Sequence, residues 1–181
     1  MTSIRPFTFT DIQKISTMGL DASTPIHPDQ SYFLYSLSNY QTACFVAEGP
    51  DGTIMGYIKG NLKEIKDGDV TCKCGSIIGV YVNDEHRKQG VATLLIEELN
   101  GLHQSMGAIW SLVRVPKKNN PASKLFNKLG YVSSNKGRSC FDEDDGADGE
   151  IYGERKKLEK LLGDGKPFEG SVSGSLKDLH I

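Results

Sequence analysis

One stretch of this sequence has the residue types and spacing of an anion-binding turn. Ile77-Ile78-Gly79-Val80-Tyr81-Val82 reads as a buried strand, Asn83-Asp84-Glu85-His86 as a polar crossing, and Arg87-Lys88-Gln89-Gly90-Val91-Ala92-Thr93 as a turn that opens a helix. A helix start leaves backbone N–H groups unpaired and carries the positive end of the helix dipole. That combination seats a phosphate or pyrophosphate. Gly90 lets the backbone approach a ligand, Ala92 keeps the next turn slim, and Arg87 and Lys88 add positive charge at the mouth. The same residues also fit an ordinary strand-to-helix turn with solvated cations, because short glycine motifs recur by chance.

Other chemistry-bearing residues are scattered. The four cysteines are Cys44, Cys72, Cys74 and Cys140. Cys72-x-Cys74 lacks the usual zinc spacing and a matching second pair, so no metal is expected. A nucleophilic thiol needs a base that the sequence does not place, and the cysteines read as free thiols of an intracellular chain. His27 lies between Pro25 and Pro28. It could relay a proton, although an exposed loop histidine is the ordinary reading. His86 reads as a surface residue. The acidic run 142–150 reads as a solvated loop that could attract a positively charged peptide N-terminus.

These residues need a scaffold. A chain of 181 residues suits one domain with one core. The net charge of −2 gives no reason to expect nucleic acid as a partner. No apolar run reaches membrane-spanning length, and the N-terminus has no apolar signal core, so a cytoplasmic location is expected. Strands are expected at 3–7, 44–48, 53–60, 71–82, 109–115 and 131–139, with a last, edge-like strand at 151–157. Thr10-Asp11-Ile12-Gln13 has the form of a capping box and starts a helix to about residue 18. Further helices are expected at 31–38, after Gly90 with Leu94, Leu95, Leu99, Leu102 and Met106 on one face, and from Pro121 to Leu129-Gly130. Residues 63–69 read as a polar loop. The domain is expected to span 1–160, with a poorly ordered tail at 161–181.

Arg87, Gly90 and Ala92 occupy the positions of the Arg/Gln-x-x-Gly-x-Gly/Ala signature of the GNAT superfamily of N-acetyltransferases, which the stretch resembles. Asn119-x-x-Ala122-x-x-x-Phe126 followed by Lys128-Leu129-Gly130-Tyr131 resembles a second segment of that family, although alone it also fits a capped amphipathic helix. The runs Ser3-Ile4-Arg5-Pro6-Phe7, Gly19-Leu20-Asp21, Tyr32-Phe33-Leu34, Val46-Ala47-Glu48-Gly49-Pro50 and Met55-Gly56-Tyr57-Ile58-Lys59-Gly60 are similar to the catalytic subunits of NatB-type N-terminal acetyltransferases. The likeness continues through Val113-Arg114-Val115 to Ile151-Tyr152 and covers nearly everything before the tail.

This resemblance implies an α/β acyl-CoA N-acyltransferase fold, a central mixed sheet flanked by about four helices. It implies acetyl-CoA as co-substrate, held by Val80, Tyr81, Val82, Arg87, Lys88, Gln89, Gly90, Val91, Ala92, Thr93, Asn119 and Phe126. It implies direct acetyl transfer to an amine, with protein N-termini as acceptors, a large auxiliary subunit and possible ribosome association. An apolar surface on Ile12, Ile15 and the 32–37 helix is the feature expected of a chain with such a subunit.

Some positions depart from the family pattern. Phe126 stands where the family's helix usually carries a tyrosine whose hydroxyl protonates the leaving thiolate. The proton must then come from water or from another tyrosine, Tyr81 or Tyr131, and Asn119, Tyr81 and Tyr131 are the candidate catalytic residues. His27, Cys140 and Phe141 replace tyrosines of the peptide-reading shell and are the candidate substrate-binding residues; Cys74 and Ser76 replace histidines beside the central strand. Two other readings fit the sequence, an acetyltransferase of small amines or lysine side chains and a non-catalytic acetyl-CoA-binding module.

Overall fold

A computed structural model of the chain describes residues 2–16, 18, 33–34, 37–38, 42–67, 70–133 and 155–163. Among the described residues seven strands build one mixed sheet: β1 (Ser3–Pro6), β2 (Thr42–Glu48), β3 (Ile54–Asp67), β4 (Val70–Val82), β5 (Ala108–Pro116), β6 (Val132–Ser133) and β7 (Arg155–Leu161). They lie in the order β1-β2-β3-β4-β5-β7-β6. Among the described residues the α-helices are α1 (Ile12–Ser16), α2 (Val91–Ser105) and α3 (Asn120–Lys128), and residues 33–34 and 37–38 of the expected second helix are also helical. None of the described helices is long and apolar enough to cross a membrane. β4 and β5 pair in parallel because α2 crosses over between them, whereas β3 and β4, only two residues apart in the sequence, pair antiparallel.

The sheet has a different core on each face. Phe45, Ile58, Ile77, Val113 and Val115 meet Leu95, Ile96 and Leu99 of α2 and Phe126 of α3 on one face. Phe7, Ile12, Ile15 and Phe33 cover Val46 and Ile54 on the other. Ile12 and Ile15 are therefore interior and do not supply the apolar surface that would favour an auxiliary subunit; Phe9 and Leu34, nearby in the chain, are exposed among the described residues.

The first helical turn is capped differently from the sequence reading. Thr8, not Thr10, precedes a 3₁₀ turn at Phe9–Asp11, and Asp11 accepts hydrogen bonds from the Thr8 N–H at 2.9 Å and its hydroxyl at 2.8 Å. Arg5 grips the same carboxylate through two nitrogens, at 2.7 and 2.8 Å, and also pairs with Glu48. Burial alone would push the Asp11 carboxyl up, but the bonds from Arg5 and Thr8 outweigh it and hold it at about 2. The Arg5 side chain thus ties β1 and β2 to the helix start.

Two further elements differ. Residues 63–67 are not a loop: β3 runs on to Asp67 and pairs through Asp67–Val70, with Glu64 opposite Lys73 in register. Only residues 68 and 69 separate the two strands in the sequence, and a two-residue Gly-Asp link is a hairpin signal. The last strand begins at Arg155 and inserts between β5 and β6 instead of lying at an edge. Its register is set by apolar burial: Leu158 packs opposite Val113, and Leu162, whose N–H bonds Ile109 O at 2.9 Å, is also buried. The tail from 164 onward lies outside the described residues.

The inner stripe of α2 is Val91, Leu95, Ile96, Leu99, Asn100 and His103; Leu94 is 41% exposed instead of facing the core. His103 is 1% exposed and lies against Gly60 and Gly75, where a β-carbon would run into its ring. Among the described residues neither of its ring nitrogens has a hydrogen-bond partner. Burial lowers its pKa from 6.5 to about 4. A depressed histidine pKa contributes stability above the unfolded value and loses it as pH falls toward the folded one. The melting temperature is therefore expected to drop as pH is lowered from about 6.5 to about 4. His103→Leu should flatten that slope; an unchanged slope would show that another group causes it.

Candidate active site

The site is created by a disagreement in length between two neighbouring strands. β4 carries one extra residue: Ile77 pairs with Gly60 and Gly79 with Lys59, so Ile78 bulges from the ladder and is 47% exposed. A bulge bends its strand and sharpens its twist. The β4–β5 ladder ends at the Ile77–Val113 pair, although β4 continues to Val82 and β5 to Pro116. Beyond that pair the two strands fork. From Gly79 onward the splayed part of β4 bonds β3 on one side and, among the described residues, no strand on the other. Tyr81 turns its backbone groups to Tyr57 on β3, so the open side is offered by Val80 and by the Val82 N–H, which can hold an extended ligand arm or donate to a carbonyl oxygen.

The splayed strand leads directly into the glycine turn. A 3₁₀ turn at Asp84–His86 precedes Arg87-Lys88-Gln89-Gly90. Lys88 and Gly90 both have left-handed backbones, with φ of 61° and 85°. A β-carbon at Gly90 would meet nothing within 4 Å, so glycine is there for its dihedral angle and not for space. The first intrahelical bond of α2 runs from the Leu94 N–H to Gly90 O at 3.1 Å. The N–H groups of Val91, Ala92 and Thr93 therefore have no intrahelical acceptor. With the helix dipole behind them, they form an anion seat at one end of the fork.

The Arg87 guanidinium turns back toward the strand. Its Nε donates to Val82 O at 3.1 Å, its terminal nitrogen meets Asp84 at 2.6 Å, and its central carbon lies 5.8 Å from the centre of the Tyr81 ring. Tyr81 stands directly opposite Tyr57 on β3, with the rings stacked at 6.1 Å. Tyr57 meets Phe33 edge-on at 5.4 Å. Burial, followed by Cys44 and Tyr81, raises the Tyr57 hydroxyl to about 12, so it stays protonated. The sequence reading did not single out Tyr57 or Asp84, although the i,i+3 spacing of Asp84 and Arg87 is a legible ion-pair signal.

The remaining candidates divide. Asn119 is exposed and caps α3: its Oδ1 accepts from the Ala122 N–H at 3.1 Å, which leaves its amide nitrogen as a donor. Phe126 is 2% exposed and packs edge-on against Tyr131 at 5.0 Å. It is a core side chain with no surface to offer a cofactor. Tyr131, also 2% exposed, is equally enclosed. Its hydroxyl closes a buried ring of bonds: Asn100 Nδ2 donates to it at 2.9 Å, it lies 2.7 Å from Ser111 Oγ, and Ser111 donates to Asn100 Oδ1 at 2.7 Å. Burial raises its pKa as well. Tyr131 thus joins α2, β5 and the end of α3 and is poorly placed as a proton donor. Cys74, 1% exposed, is no accessible nucleophile. His27, Cys140 and Phe141 lie outside the described residues.

Residues 11–131 match the Acetyltransferase (GNAT) family. The chain is 30% identical over 133 residues to the N-terminal acetyltransferase B complex catalytic subunit NAA20 of Arabidopsis thaliana, covering 73% of this chain and 74% of that one. It is 28% identical over 136 residues to an N-alpha-acetyltransferase of Sulfurisphaera tokodaii, covering 71% and 78% of the two chains. Arabidopsis thaliana NAA60 in complex with a bisubstrate analogue shares the fold with a TM-score of 0.71 at 16% identity, over 92% of this chain and all of that one.

Tyr131→Phe should leave Asn100 and Ser111 short of a partner and lower stability by about 1–3 kcal/mol, the usual penalty for an unsatisfied buried polar group. Denaturant unfolding reads this directly. Turnover per folded molecule should hold; a selective loss of kcat would return Tyr131 to the chemistry.

Proposed function

The chain belongs to the GNAT family of acetyltransferases, and from that premise we propose that it is the catalytic chain of a NatB-type N-terminal protein acetyltransferase. Its substrates are the α-amines of proteins that begin with Met followed by an acidic or amide residue. The observation that carries this reading is the single run of backbone from Gly79 to Thr93, in which an unpaired strand edge passes directly into the anion seat of α2. The similarity to NAA20 supports the choice of acceptor.

The seat fits acetyl-CoA: the N–H groups of Val91, Ala92 and Thr93 hold its pyrophosphate, and the edge at Val80–Val82 holds its arm. Bound there, acetyl-CoA supplies an activated acetyl thioester. The chain's own residues align and polarise. Backbone N–H groups of the splayed strand stabilise the oxygen where charge develops. The Asn119 amide nitrogen holds the acceptor or a water. A peptide α-amine has a pKa of about 8, so water suffices to deprotonate it. Protonation of the leaving thiolate is assigned in this proposal to Tyr81, which is half-buried, because the Tyr131 hydroxyl is enclosed. By the family resemblance, His27, Cys140 and Phe141 are the residues proposed to read the peptide. Exposed Phe9 and Leu34 belong to the side offered to an auxiliary subunit.

Acetylation of peptides beginning Met-Asp, Met-Leu and Ser, alongside a panel of small amines, tests the acceptor. Met-Asp is expected to win. Faster turnover of the small amines would replace this reading, and acetyl-CoA binding without any turnover would leave a binding module.

Gly90→Asp places a carboxylate and a β-carbon in the anion seat at a left-handed dihedral. Calorimetry is expected to show acetyl-CoA binding lost while the fold persists, and retained affinity would move the site elsewhere.

Asn119→Ala is expected to lower kcat by roughly 10-fold or more, as removal of a transition-state hydrogen bond does. Cys74→Ala is expected to remain active per folded molecule. A dead Cys74→Ala enzyme would mean that the acetyl group rests on a thiol.

A further inference from the structure

The Arg87 side chain turns to the strand and not to the anion seat at the start of α2. The three contacts already described, to Val82 O, to Asp84 and to the face of Tyr81, all lie on the strand side of the turn. The Asp84 carboxylate offsets its charge locally, so the attraction for a phosphate falls mainly to the α2 backbone and to Lys88. A planar guanidinium suits this position: one edge donates to a carbonyl and a carboxylate while the flat face covers a ring.

Tyr81 belongs to the splayed segment of β4. Its neighbours Val80 and Val82 pack toward α2, and Tyr81 projects to the opposite face, where Tyr57 and Phe33 continue the aromatic contacts toward Phe7. A segment bonded to a strand on one side only has few restraints of its own. Arg87 supplies one: it joins the end of the segment, at Val82, to the ring that stands on its other face. We propose that Arg87 is a positioning residue that braces Tyr81 and the splayed end of β4 for the acceptor, and is not a ligand of the cofactor's phosphates. This rests on the function proposed above, because it assigns the face bearing Tyr81 to the incoming amine.

Two acetyl donors separate the roles. Acetyl-CoA carries a pyrophosphate, and S-acetyl-pantetheine does not. With Met-Asp peptide as acceptor, Arg87→Met is expected to lower kcat/KM about 10-fold with either donor, the scale of a lost cation–π and hydrogen-bond brace. Arg87→Lys is expected to fall similarly, since an ammonium keeps the charge but cannot make the three contacts together. Arg87→Met and Tyr81→Leu are expected to be non-additive, the double variant resembling the worse single one. A loss confined to acetyl-CoA and rescued by lysine would make Arg87 a phosphate ligand and overturn the proposal; strict additivity with Tyr81→Leu would overturn it too.

Hydrogen exchange of residues 78–82 in the ligand-free protein gives a readout that needs no activity. Arg87→Met, or Arg87→Lys if the former does not fold, is expected to speed exchange there by several-fold while the β2–β3 ladder stays protected. Unchanged exchange would overturn the brace. A wild-type protein that acetylates none of the peptides would sink the proposed function alone, and the exchange result would still decide the role of Arg87.

Discussion

One surplus residue governs the working end of this molecule. Ile78 has no partner on β3, and from that point β4 parts from β5. A backbone edge left unpaired inside a sheet costs free energy unless something bonds to it. Here that edge is the feature that can receive an extended ligand arm. The remainder of the sheet sustains the fork: β3 holds the other edge of β4 from Gly56–Val82 to Asp67–Val70, and β7 locks β5 from Trp110 to Pro116. The two strands can separate at one end because each is held firmly on its far side.

α2 links the fork to the core. Its first turn carries the free N–H groups, and its inner stripe carries Leu95, Ile96 and Leu99 into the main apolar cluster. The stripe also carries two polar side chains with opposite fates. Asn100 is bonded within a ring with Ser111 and Tyr131, a network that fixes how α3 meets α2 and β5. His103 lies against two glycines with neither nitrogen bonded among the described residues, and stays neutral at ordinary pH because burial opposes its charge. The anion seat at one end of the helix is thus built on a helix whose other end is sensitive to acid.

The face of the sheet that bears Tyr81 is held by aromatic contacts. Phe7, Phe33, Tyr57 and Tyr81 meet in sequence at centroid distances of 5.9, 5.4 and 6.1 Å. Such contacts add modestly beyond their burial, about 0.5–1.5 kcal/mol each, but they fix ring orientation. Together with Arg87 they connect the first helices to the glycine turn, so the two halves of the proposed site share one set of packed rings.

The turn was legible in the sequence because its chemistry is local. Gly90 needs a dihedral that other residues resist, and the N–H groups that follow are free wherever a helix begins. The alternating and helical apolar patterns likewise marked nearly every strand and helix, since each pattern follows from the repeat of its own element. Other features depended on partners far away in the chain. The bulge at Ile78 exists only relative to β3. The register of β7 was set by Leu158 and Leu162 finding the core, and β3 reached Asp67 because β4 offered it a ladder. The family resemblance made Phe126 and Tyr131 candidate site residues, yet tertiary packing enclosed both. Tyr57 and Asp84 gained their roles only when Tyr81 and Arg87 came alongside. The sequence by itself determined which groups could bind an anion; the tertiary structure decided which side chains remained exposed to use it, because exposure depends on contacts between residues distant in the chain.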